Sequence, residues 1–385
     1  MTTTRELFHL NADLDELYIR EPSQLPVWRA RHSQQRSFFV VDNLADLIAF
    51  DENLTATERE AAEWIFPYGG LTPQQILSLH PRWRGPAGRD LRDTRIRVDV
   101  FPTCEVLQQC TLAQPDFSVI IPCYEKAHTL QIALEFWRRQ VGPRAEIILI
   151  DDGSPSTWIL PYIGTWREQL TLLRLPAKTP PDGDKDHRFR AGHARNAGLN
   201  FARAAKIIFV DCDILVPPDF LTQMAQALDD ADLVMPQRWQ LHPRLTAPDP
   251  EVPFRFEHDV VLTPGAFWED FQVGTNDWSA MALPWKWVSS FCLGLRRPLL
   301  HRIGGLRPTF VTYGFEDAEL GYRAAVAGAR FRLLPIHTHH LPQNDQDSQF
   351  GNSWDERTRL FRISAERFFR HHPHQDVFTA LRPWL

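Results

Sequence analysis

Two aspartates separated by a single residue form the first candidate site. Asp211 and Asp213 follow the apolar run KIIFV and flank Cys212. In a strand, residues i and i+2 project to the same face, so the carboxylates converge while the thiol points to the other side. Two such carboxylates favour a cation between them, and their oxygens suit Mg²⁺ or Mn²⁺ bridging to substrate phosphates. A solvated acidic turn would give the same pattern.

A second acidic group follows another apolar run. The segment EIILI leads into Asp151, Asp152, Gly153 and Ser154. Gly153 permits a tight turn or the close approach of a ligand, and the acids could accept hydrogen bonds from a nucleobase or ribose. Because Asp-Gly is also a common turn dipeptide, a plain strand-to-loop turn remains the alternative.

An arginine at a helix start is the third candidate. Arg195 lies in AGHARNAG, residues 191–198, just before the strand that ends at Asp211. A guanidinium there could pair with a diphosphate. An ordinary helix with a surface arginine is the alternative.

The elements around these residues predict an α/β fold. Short apolar runs predict buried strands at FSVIIPCY (from Phe117), EIILI, LTLLRL and KIIFV. Apolar spacing predicts a helix over 127–140, and a second helix is expected at about 191–205. This β-α-β-α-β order implies a parallel sheet with right-handed crossovers. Ligands of such sheets bind beyond the carboxyl ends of the strands, where the acidic groups lie.

Composition argues against some classes of protein and indicates the compartment. The 385 residues carry 42 Lys+Arg against 48 Asp+Glu, a net charge of −6, which does not support a nucleic-acid-binding protein. Five scattered cysteines without a Cys-x-x-Cys pair indicate a reduced compartment. No signal peptide or run of about 18 apolar residues is present, so we expect a cytoplasmic protein.

The first 114 residues show no catalytic constellation. Short helices are predicted at 13–20 and 56–66, the second with Thr55 as N-cap and Glu58 three residues later. A strand is predicted at 38–41 and a loop at 80–95.

Taken together, FSVIIPCYE, EIILIDDGS, GHARNAGLNFA and KIIFVDCD resemble the family 2 glycosyltransferases, which use nucleotide-sugar donors on the GT-A fold, a mostly parallel Rossmann-like sheet with helices on both faces. The resemblance implies an N-terminal extension (1–114), a GT-A domain (115–345) and a C-terminal helical segment (346–385). It also implies donor-site roles: Pro122 and Glu125 beside the base, Asp152 with its neighbour Asp151 at uracil or ribose, Arg195 facing the donor, Asp211 at the ribose or sugar and as a metal ligand, and Asp213 on the metal.

The second half resembles the galactosyltransferase-like and chondroitin-polymerase-like branch, in which a Gly-Gly turn precedes Gly-x-Glu-Asp. Here Gly314-Phe315-Glu316-Asp317 opens a helix. The resemblance implies that Asp317 is the general base and that Glu316 orients the acceptor. The alternative is helix capping, because acids in a first turn, Glu319 included, are favoured by the helix dipole.

Histidines and tryptophans supply further candidates. His337 and His339 share a strand face and His340 points away; the branch implies a metal-ligand histidine, for which His337 matches best and His339 second. A zinc site is the competing interpretation, but no cysteine lies near.

His371, His372 and His374 are expected to be solvated and inert. Four tryptophans could line an acceptor site or pack in the core: Trp268, Trp278, Trp285 and Trp287.

The implied activity is a metal-dependent, inverting transfer of a hexose or N-acetylhexosamine from a UDP-sugar to an acceptor hydroxyl, with Mn²⁺ or Mg²⁺. The expected partners are the donor and a glycan, peptide or small-molecule acceptor, with peripheral membrane association open. The polar loop 176–190 could be a donor lid, an acceptor contact or an insertion. A nucleotidyltransferase, a non-catalytic sugar-binding protein and a scaffold role for residues 1–114 are the alternatives.

Overall fold

The computed structural model describes most of the chain from His9 to Leu385. The described residues are 9–11, 16–19, 22–31, 36–41, 44–61, 63–65, 104–164, 166, 168–177, 189–261, 283–307, 310, 314–342 and 354–385. The predicted loop at 80–95 lies outside them, as does most of the loop 176–190.

The described strands form two sheets. Their bounds are β1 (His9–Asn11), β2 (Glu16–Ile19), β3 (Arg36–Val40), β4 (Glu63–Ile65), β5 (Glu105–Gln108), β6 (Phe117–Cys123), β7 (Ala145–Asp151), β8 (Leu170–Arg174), β9 (Lys206–Val210), β10 (Ile214–Leu215), β11 (Leu233–Leu241), β12 (Val260–Val261), β13 (Cys292–Arg296) and β14 (Phe331–His340). The smaller sheet has the order β1-β2-β3-β4. The larger has the order β10-β14-β11-β13-β9-β6-β7-β8-β5, with β12 on β11.

The described α-helices have the bounds α1 (Leu25–Arg31), α2 (Leu44–Asn53), α3 (Ala56–Ala61), α4 (Ala127–Arg138), α5 (Ala191–Phe201), α6 (Phe220–Asp230), α7 (Phe256–Asp259), α8 (Arg297–Ile303), α9 (Glu316–Val326), α10 (Trp354–His371) and α11 (Gln375–Leu381). The predicted strands of the parallel unit and both of its helices are confirmed.

The larger sheet has a parallel centre. Strands β9, β6, β7 and β8 run side by side in one direction, and their residues are almost all buried, as continuous apolar runs require. Strand β13 is antiparallel to both β9 and β11, so β11 and its parallel partner β14 again point the same way as β9. The carboxyl ends of all these strands except β13 therefore lie along one edge. The predicted α/β class is confirmed.

Helix α5 lies unusually close to this sheet. A methyl group on Gly198 would stand 2.6 Å from Cγ2 of Ile120 and 2.8 Å from Cδ1 of Ile150. Glycine thus lets the helix backbone approach β6 and β7, which brings the start of the helix over their carboxyl ends.

The N-terminal residues form the smaller sheet and its helices. The helix predicted at 13–20 is wrong: residues 16–19 form β2, which pairs with both β1 and β3. Pairing on both sides outweighs weak local propensity. The capping of α3 is confirmed, because the Glu58 amide donates to Thr55 Oγ1 (3.2 Å) and the Thr55 amide donates to the Glu58 carboxylate (2.8 Å). Strand β5, before the predicted boundary at 115, pairs with β8 of the larger sheet.

A buried ionic cluster ties helix α9 to the C-terminal helices. The fully buried Glu319 carboxylate accepts hydrogen bonds from Arg307 Nε (2.6 Å) and Arg323 Nε (2.9 Å), and His372 Nε2 lies 2.8 Å from it. The expectation that His371 and His372 are solvated is wrong, since they are 5% and 8% exposed. Burial by itself would raise the pKa of Glu319, but the Arg323 and Arg307 guanidiniums hold it well below its usual value.

Glu319→Ala should lower the free energy of unfolding by about 3–5 kcal/mol, because it leaves two guanidiniums in the protein without their carboxylate. Urea unfolding measures the change. The exposed Glu366, which pairs with Arg370 on α10, is the matched control, and Glu366→Ala should change stability by less than about 1 kcal/mol. Because the folded pKa of Glu319 is depressed, its contribution is present above the unfolded pKa of 4.5 and declines as the pH falls below it. Equal stabilities for the two variants would contradict the role of the cluster.

Among the described residues, no helix combines the length and the apolarity needed to cross a membrane.

Candidate active site

Two strand ends bring the predicted acidic groups to one edge of the larger sheet. Asp152 follows β7 and Asp211 follows β9, and β6 lies between these strands. Two strand spacings separate their ends by about 10 Å. The Asp152 amide donates to the Cys123 carbonyl (2.9 Å), which fixes the turn after β7 against the end of β6. The spatial clustering expected from a parallel sheet is therefore present for these two groups.

Asp152 is held by an arginine that sequence reasoning missed. Its fully buried carboxylate accepts hydrogen bonds from the Arg190 amide (2.5 Å) and Arg190 Nε (3.0 Å). Arg190 comes directly before helix α5, at the end of the polar loop. This position is the only signal in the sequence that could have identified it.

Asp151 instead accepts hydrogen bonds from the amide and hydroxyl of Ser154, and its carboxylate lies 3.3 Å from Arg174 Nε. Asp151 thus stabilises the turn around Gly153.

Gly153 is needed in this turn. Its φ is +70°, and a methyl group on it would stand 2.5 Å from the Pro176 carbonyl oxygen. Both the left-handed backbone and the close neighbour exclude a side chain. The turn after β7 therefore packs directly on the chain that leaves β8.

Pro122 and Glu125 lie at the same edge, at the end of β6 and in the loop that follows it. Pro122 is a buried residue of β6, and Glu125 has a left-handed backbone with φ +52°. The Glu125 carboxylate accepts from the Ser156 hydroxyl (2.6 Å), and the Glu125 amide donates to Ser154 Oγ (3.1 Å). These bonds join the loop after β6 to the loop after β7, so Glu125 shapes the edge beside Asp152.

Arg195 points inward. Its side chain is 3% exposed, and Nη2 donates to Asp211 Oδ1 (2.5 Å) and to the Ser290 carbonyl (3.3 Å). Burial raises the pKa of Asp211 to about 6 despite the attraction of Arg195. The described contacts therefore place Arg195 between Asp211 and the backbone of Ser290, and the alternative of a surface arginine is wrong.

Ser290 connects this arginine to the Glu-Asp motif. The Ser290 amide donates to Asp317 Oδ2 (3.1 Å), and the Ala318 amide donates to Asp317 Oδ1 (2.8 Å). Asp211 and Asp317, more than 100 residues apart in sequence, are thereby joined through Arg195 and the backbone of Ser290. Ser290 carries no motif of its own, so only the fold reveals it.

The start of α9 carries two carboxyls with raised pKa. Burial raises the pKa of Glu316 to about 8, and the Asp317 charge adds to the rise. Burial also raises the pKa of Asp317, against the hydrogen bond from Ser290. Glu316 Oε2 is buried and has no hydrogen-bond partner among the described residues. The two preceding residues both have left-handed backbones, with φ +93° at Gly314 and +67° at Phe315. Gly314 adopts this backbone without strain, whereas Phe315 is strained, and such strain is typical of functional sites.

The histidine nearest Asp213 is His340. His340 Nε2 lies 3.6 Å from Asp213 Oδ1, because His340 is opposite Ile214 in the β14–β10 ladder. His337 lies on the other face, where its ring packs 5.0 Å from the Trp239 ring centroid. Of these histidines, the one beside Asp213 is therefore His340, whereas His337 and His339 lie on the opposite face of β14.

Asp213 and His340 offer one carboxylate and one imidazole, both buried to more than nine-tenths. No group of three or more His, Cys, Asp or Glu side chains arranged to hold a metal is found in the described part of the chain. A site with few protein ligands suits a divalent ion that is completed by water and substrate phosphates, and an imidazole beside a carboxylate favours Mn²⁺. These residues fit such an ion.

The described tryptophans of the 268–287 interval belong to the core. Trp285 is 4% exposed and packs on Tyr322 (5.2 Å between ring centroids) and Phe368 (5.5 Å), and Trp287 is 9% exposed. Trp268 and Trp278 lie outside the described residues. The core interpretation therefore fits Trp285 and Trp287.

Asn196 is a further residue that sequence reasoning missed. Its side chain donates to the Leu306 carbonyl (2.7 Å) and accepts from the Leu306 amide (3.0 Å). Gly305 lies against the same side chain, and a methyl group on it would clash with Asn196 Oδ1. The Gly-Gly turn is thus attached to helix α5, one residue after Arg195.

Comparison with known proteins gives the same family from an independent source. The family profile described as "Glycosyltransferase like family 2" matches residues 118–350. Validoxylamine A glucosyltransferase from Streptomyces hygroscopicus subsp. jinggangensis is 26% identical over 279 residues, which cover 67% of this chain and 61% of that enzyme. Chondroitin synthase from Pasteurella multocida is 23% identical over 262 residues, 61% of this chain and 26% of that protein.

Among solved structures, a mannosyltransferase from Pyrobaculum calidifontis in complex with GDP-Man and Mn²⁺ is 16% identical, with a TM-score of 0.45 over 72% of this chain and 70% of that one. The chain spans about three fifths of the length of the validoxylamine enzyme. The family profile covers more than half of the chain, including the acidic strand ends and the Glu-Asp helix. The chain therefore belongs to the glycosyltransferase family 2-like proteins.

Proposed function

We propose that this chain transfers a hexose or N-acetylhexosamine from a UDP-sugar to an acceptor hydroxyl, with inversion and with the help of a divalent cation. The observation that carries the proposal is the connection from Asp211 through Arg195 and Ser290 to Asp317. It supports the proposal because it joins Asp211, an acid expected at the donor, to Asp317, the acid expected at the acceptor. Family membership supports sugar transfer as the reaction.

The donor side is formed by the strand ends. Asp152, held by Arg190, lies beside the proposed position of the uracil or ribose, with Asp151, Glu125 and Pro122 shaping the adjacent loops. Asp211 contacts the ribose or sugar. Asp213 and His340 would hold the Mn²⁺ or Mg²⁺. Such an ion, when bound, offsets the negative charge that grows on the leaving diphosphate.

The acceptor side is the first turn of α9. Asp317 takes the proton of the acceptor hydroxyl, which attacks the anomeric carbon opposite the departing diphosphate. Two backbone amides hold its carboxylate in place. Burial raises the pKa of Glu316 and so favours its protonated form, which can donate a hydrogen bond that orients the acceptor. One relative is named for a small molecule, validoxylamine A, and another for a glycan, chondroitin. Of these two kinds of acceptor we propose a glycan.

A donor screen tests the proposal. UDP-, GDP- and dTDP-sugars are incubated with the protein in Mn²⁺ or EDTA, and release of the nucleoside diphosphate and the melting temperature are measured. We expect hydrolysis and stabilisation with one UDP-sugar, both dependent on Mn²⁺, because a ligand that binds the native state raises its stability. If no nucleotide sugar is hydrolysed or stabilises the protein, the proposal is wrong.

Histidines on the two faces of β14 provide a matched pair of variants. His340→Ala should lower the Mn²⁺-dependent part of UDP affinity by about 10- to 100-fold, in the range for loss of a metal-site contact. His337→Ala, on the opposite face of the same strand, should leave it unchanged. Isothermal titration calorimetry in Mn²⁺ and in EDTA measures both. A larger loss in His337→Ala would reject His340 as the metal ligand and support His337.

A further inference from the structure

Two aromatic side chains of the C-terminal segment pack against the residue that precedes the Glu-Asp motif. The ring centroid of Phe315 lies 5.5 Å from that of Phe361 in α10 and 6.3 Å from that of Trp384, which follows α11, and both contacts are edge to face. Phe361 and Trp384 stack on each other at 4.9 Å. The sequence analysis gave neither member of this pair a role.

Phe315 needs support from its surroundings because of its backbone. Its φ is +67°, a left-handed conformation that is costly for a bulky side chain and persists only where the surrounding structure imposes it. Helix α9 begins directly after Phe315, and phenylalanine has no polar side chain with which to cap a helix. Packing on the Phe361–Trp384 pair is a contact that can hold this conformation.

Gly314 brings the preceding backbone onto the same pair. A methyl group on Gly314 would stand 2.6 Å from Cε1 of Phe361, so the chain can pass the ring at this distance because it has no side chain there. Both residues that lead into α9 therefore rest on Phe361.

The backbone of Phe315 sets the direction in which α9 begins. The Phe315 carbonyl accepts a hydrogen bond from the Glu319 amide (2.9 Å), and the two acids of the Glu-Asp motif come directly after it. The Asp317 carboxylate is held by the amides of Ser290 (3.1 Å) and Ala318 (2.8 Å). A rotation of the Phe315 backbone would disturb these two hydrogen bonds and displace the carboxylate.

We propose that the Phe361–Trp384 pair positions the Glu-Asp motif for sugar transfer by holding Phe315 in its left-handed conformation. This inference rests on the proposed function, in which the two acids of the motif act on the acceptor. Both members of the pair lie outside residues 118–350, which the family profile matches, so family membership does not assign them this role.

Trp384→Ala tests the inference through hydrolysis of the donor, in which water takes the place of the acceptor. The probes are UDP-glucose, UDP-galactose, UDP-N-acetylglucosamine and UDP-N-acetylgalactosamine, each with Mn²⁺. The substitution should lower kcat for the hydrolysed donor by about 10- to 100-fold, because small displacements of reacting groups have effects of this size. The affinity for UDP, measured by calorimetry, should not change. Trp384→Phe, which retains a ring, should recover most of the rate.

Phe378→Ala is the matched control. Phe378 of α11 packs on Phe369 of α10 with 5.8 Å between ring centroids, so this variant removes an aromatic contact of the same two helices and leaves the contacts of Phe315 in place. It should keep the wild-type kcat.

Phe315→Gly supplies a second comparison, since glycine adopts the left-handed backbone without strain but offers no ring to Trp384. In that background Trp384→Ala should lower kcat little further, because two residues that act through one contact are not additive. Circular dichroism and the melting temperature establish that each variant is folded, and Trp384→Leu replaces Trp384→Ala if the latter is not.

An unchanged kcat in the Trp384 variant, even with a lower melting temperature, would overturn the inference, since the pair would then only stabilise the fold. An equal loss in Phe378→Ala, or the full loss again in the Phe315→Gly background, would overturn it too. Wild-type protein that hydrolyses none of the probes and binds no UDP would overturn the proposed function as well, whereas normal wild-type activity with no effect in the Trp384 variant rejects the role of the pair alone.

Discussion

Asp317→Asn is expected to lower the rate of sugar transfer by about 100- to 10,000-fold, the usual contribution of a general base. Asparagine has nearly the same shape and can still accept a hydrogen bond from the Ser290 or Ala318 amide, so the start of α9 should keep its structure. UDP binding should be close to that of wild type, because the proposed role of Asp317 is at the acceptor. Single-turnover transfer assays and calorimetry with UDP measure the two effects separately.

A matched control for this substitution is Asp376→Asn, which changes an exposed aspartate of α11. It should leave both transfer and UDP binding unchanged. An unimpaired transfer rate in Asp317→Asn would rule out Asp317 as the base. A parallel loss of UDP binding would instead indicate that Asp317 supports the donor side.

Asp213→Ala is the second substitution with a large expected effect. It removes the carboxylate of the proposed metal site, and transfer should fall by about 1000-fold, equivalent to about 4 kcal/mol of transition-state stabilisation. The increase in UDP affinity caused by Mn²⁺ should disappear, while UDP affinity in EDTA should change little. Turnover with saturating donor and calorimetry in Mn²⁺ and EDTA are the measurements.

Asp230→Ala serves as the control, because Asp230 is an exposed carboxylate at the end of α6. Circular dichroism establishes that both variants are folded. If Asp213→Ala turned over near the wild-type rate, or still gained UDP affinity from Mn²⁺, the proposed metal role of Asp213 would be wrong.

The strand ends could be predicted from sequence because the physics that positions them is local. Continuous apolar runs identify buried parallel strands, and acidic residues directly after two of these runs must lie at one edge. The structure places Asp152 and Asp211 there. The Thr55 capping box was predictable for the same reason, since its partners are three residues apart.

The contacts that sequence reasoning did not anticipate depend on distant partners. Arg195 points inward because Ser290, 95 residues later, supplies a carbonyl. His372 is buried because Glu319, 53 residues earlier, supplies a carboxylate. Spacing within one segment carries no information about such pairs.

The histidine of β14 shows a different limit. Alternation along the strand correctly separates His337 and His339 from His340, but it does not say which face meets Asp213. The pairing of β14 with β10, in which His340 is opposite Ile214, determines the face. A shift of one residue exchanges the two faces of a strand, so this choice requires the tertiary structure.

Diffraction from crystals grown with UDP and Mn²⁺, collected at the manganese absorption edge, tests the central claim most directly. The account predicts one anomalous peak in contact with Asp213 and the diphosphate, with the uridine beside Asp152 and the Asp317 carboxylate facing the same site. Ordered UDP with its metal bound away from Asp213, or away from the ends of β7 and β9, would contradict it.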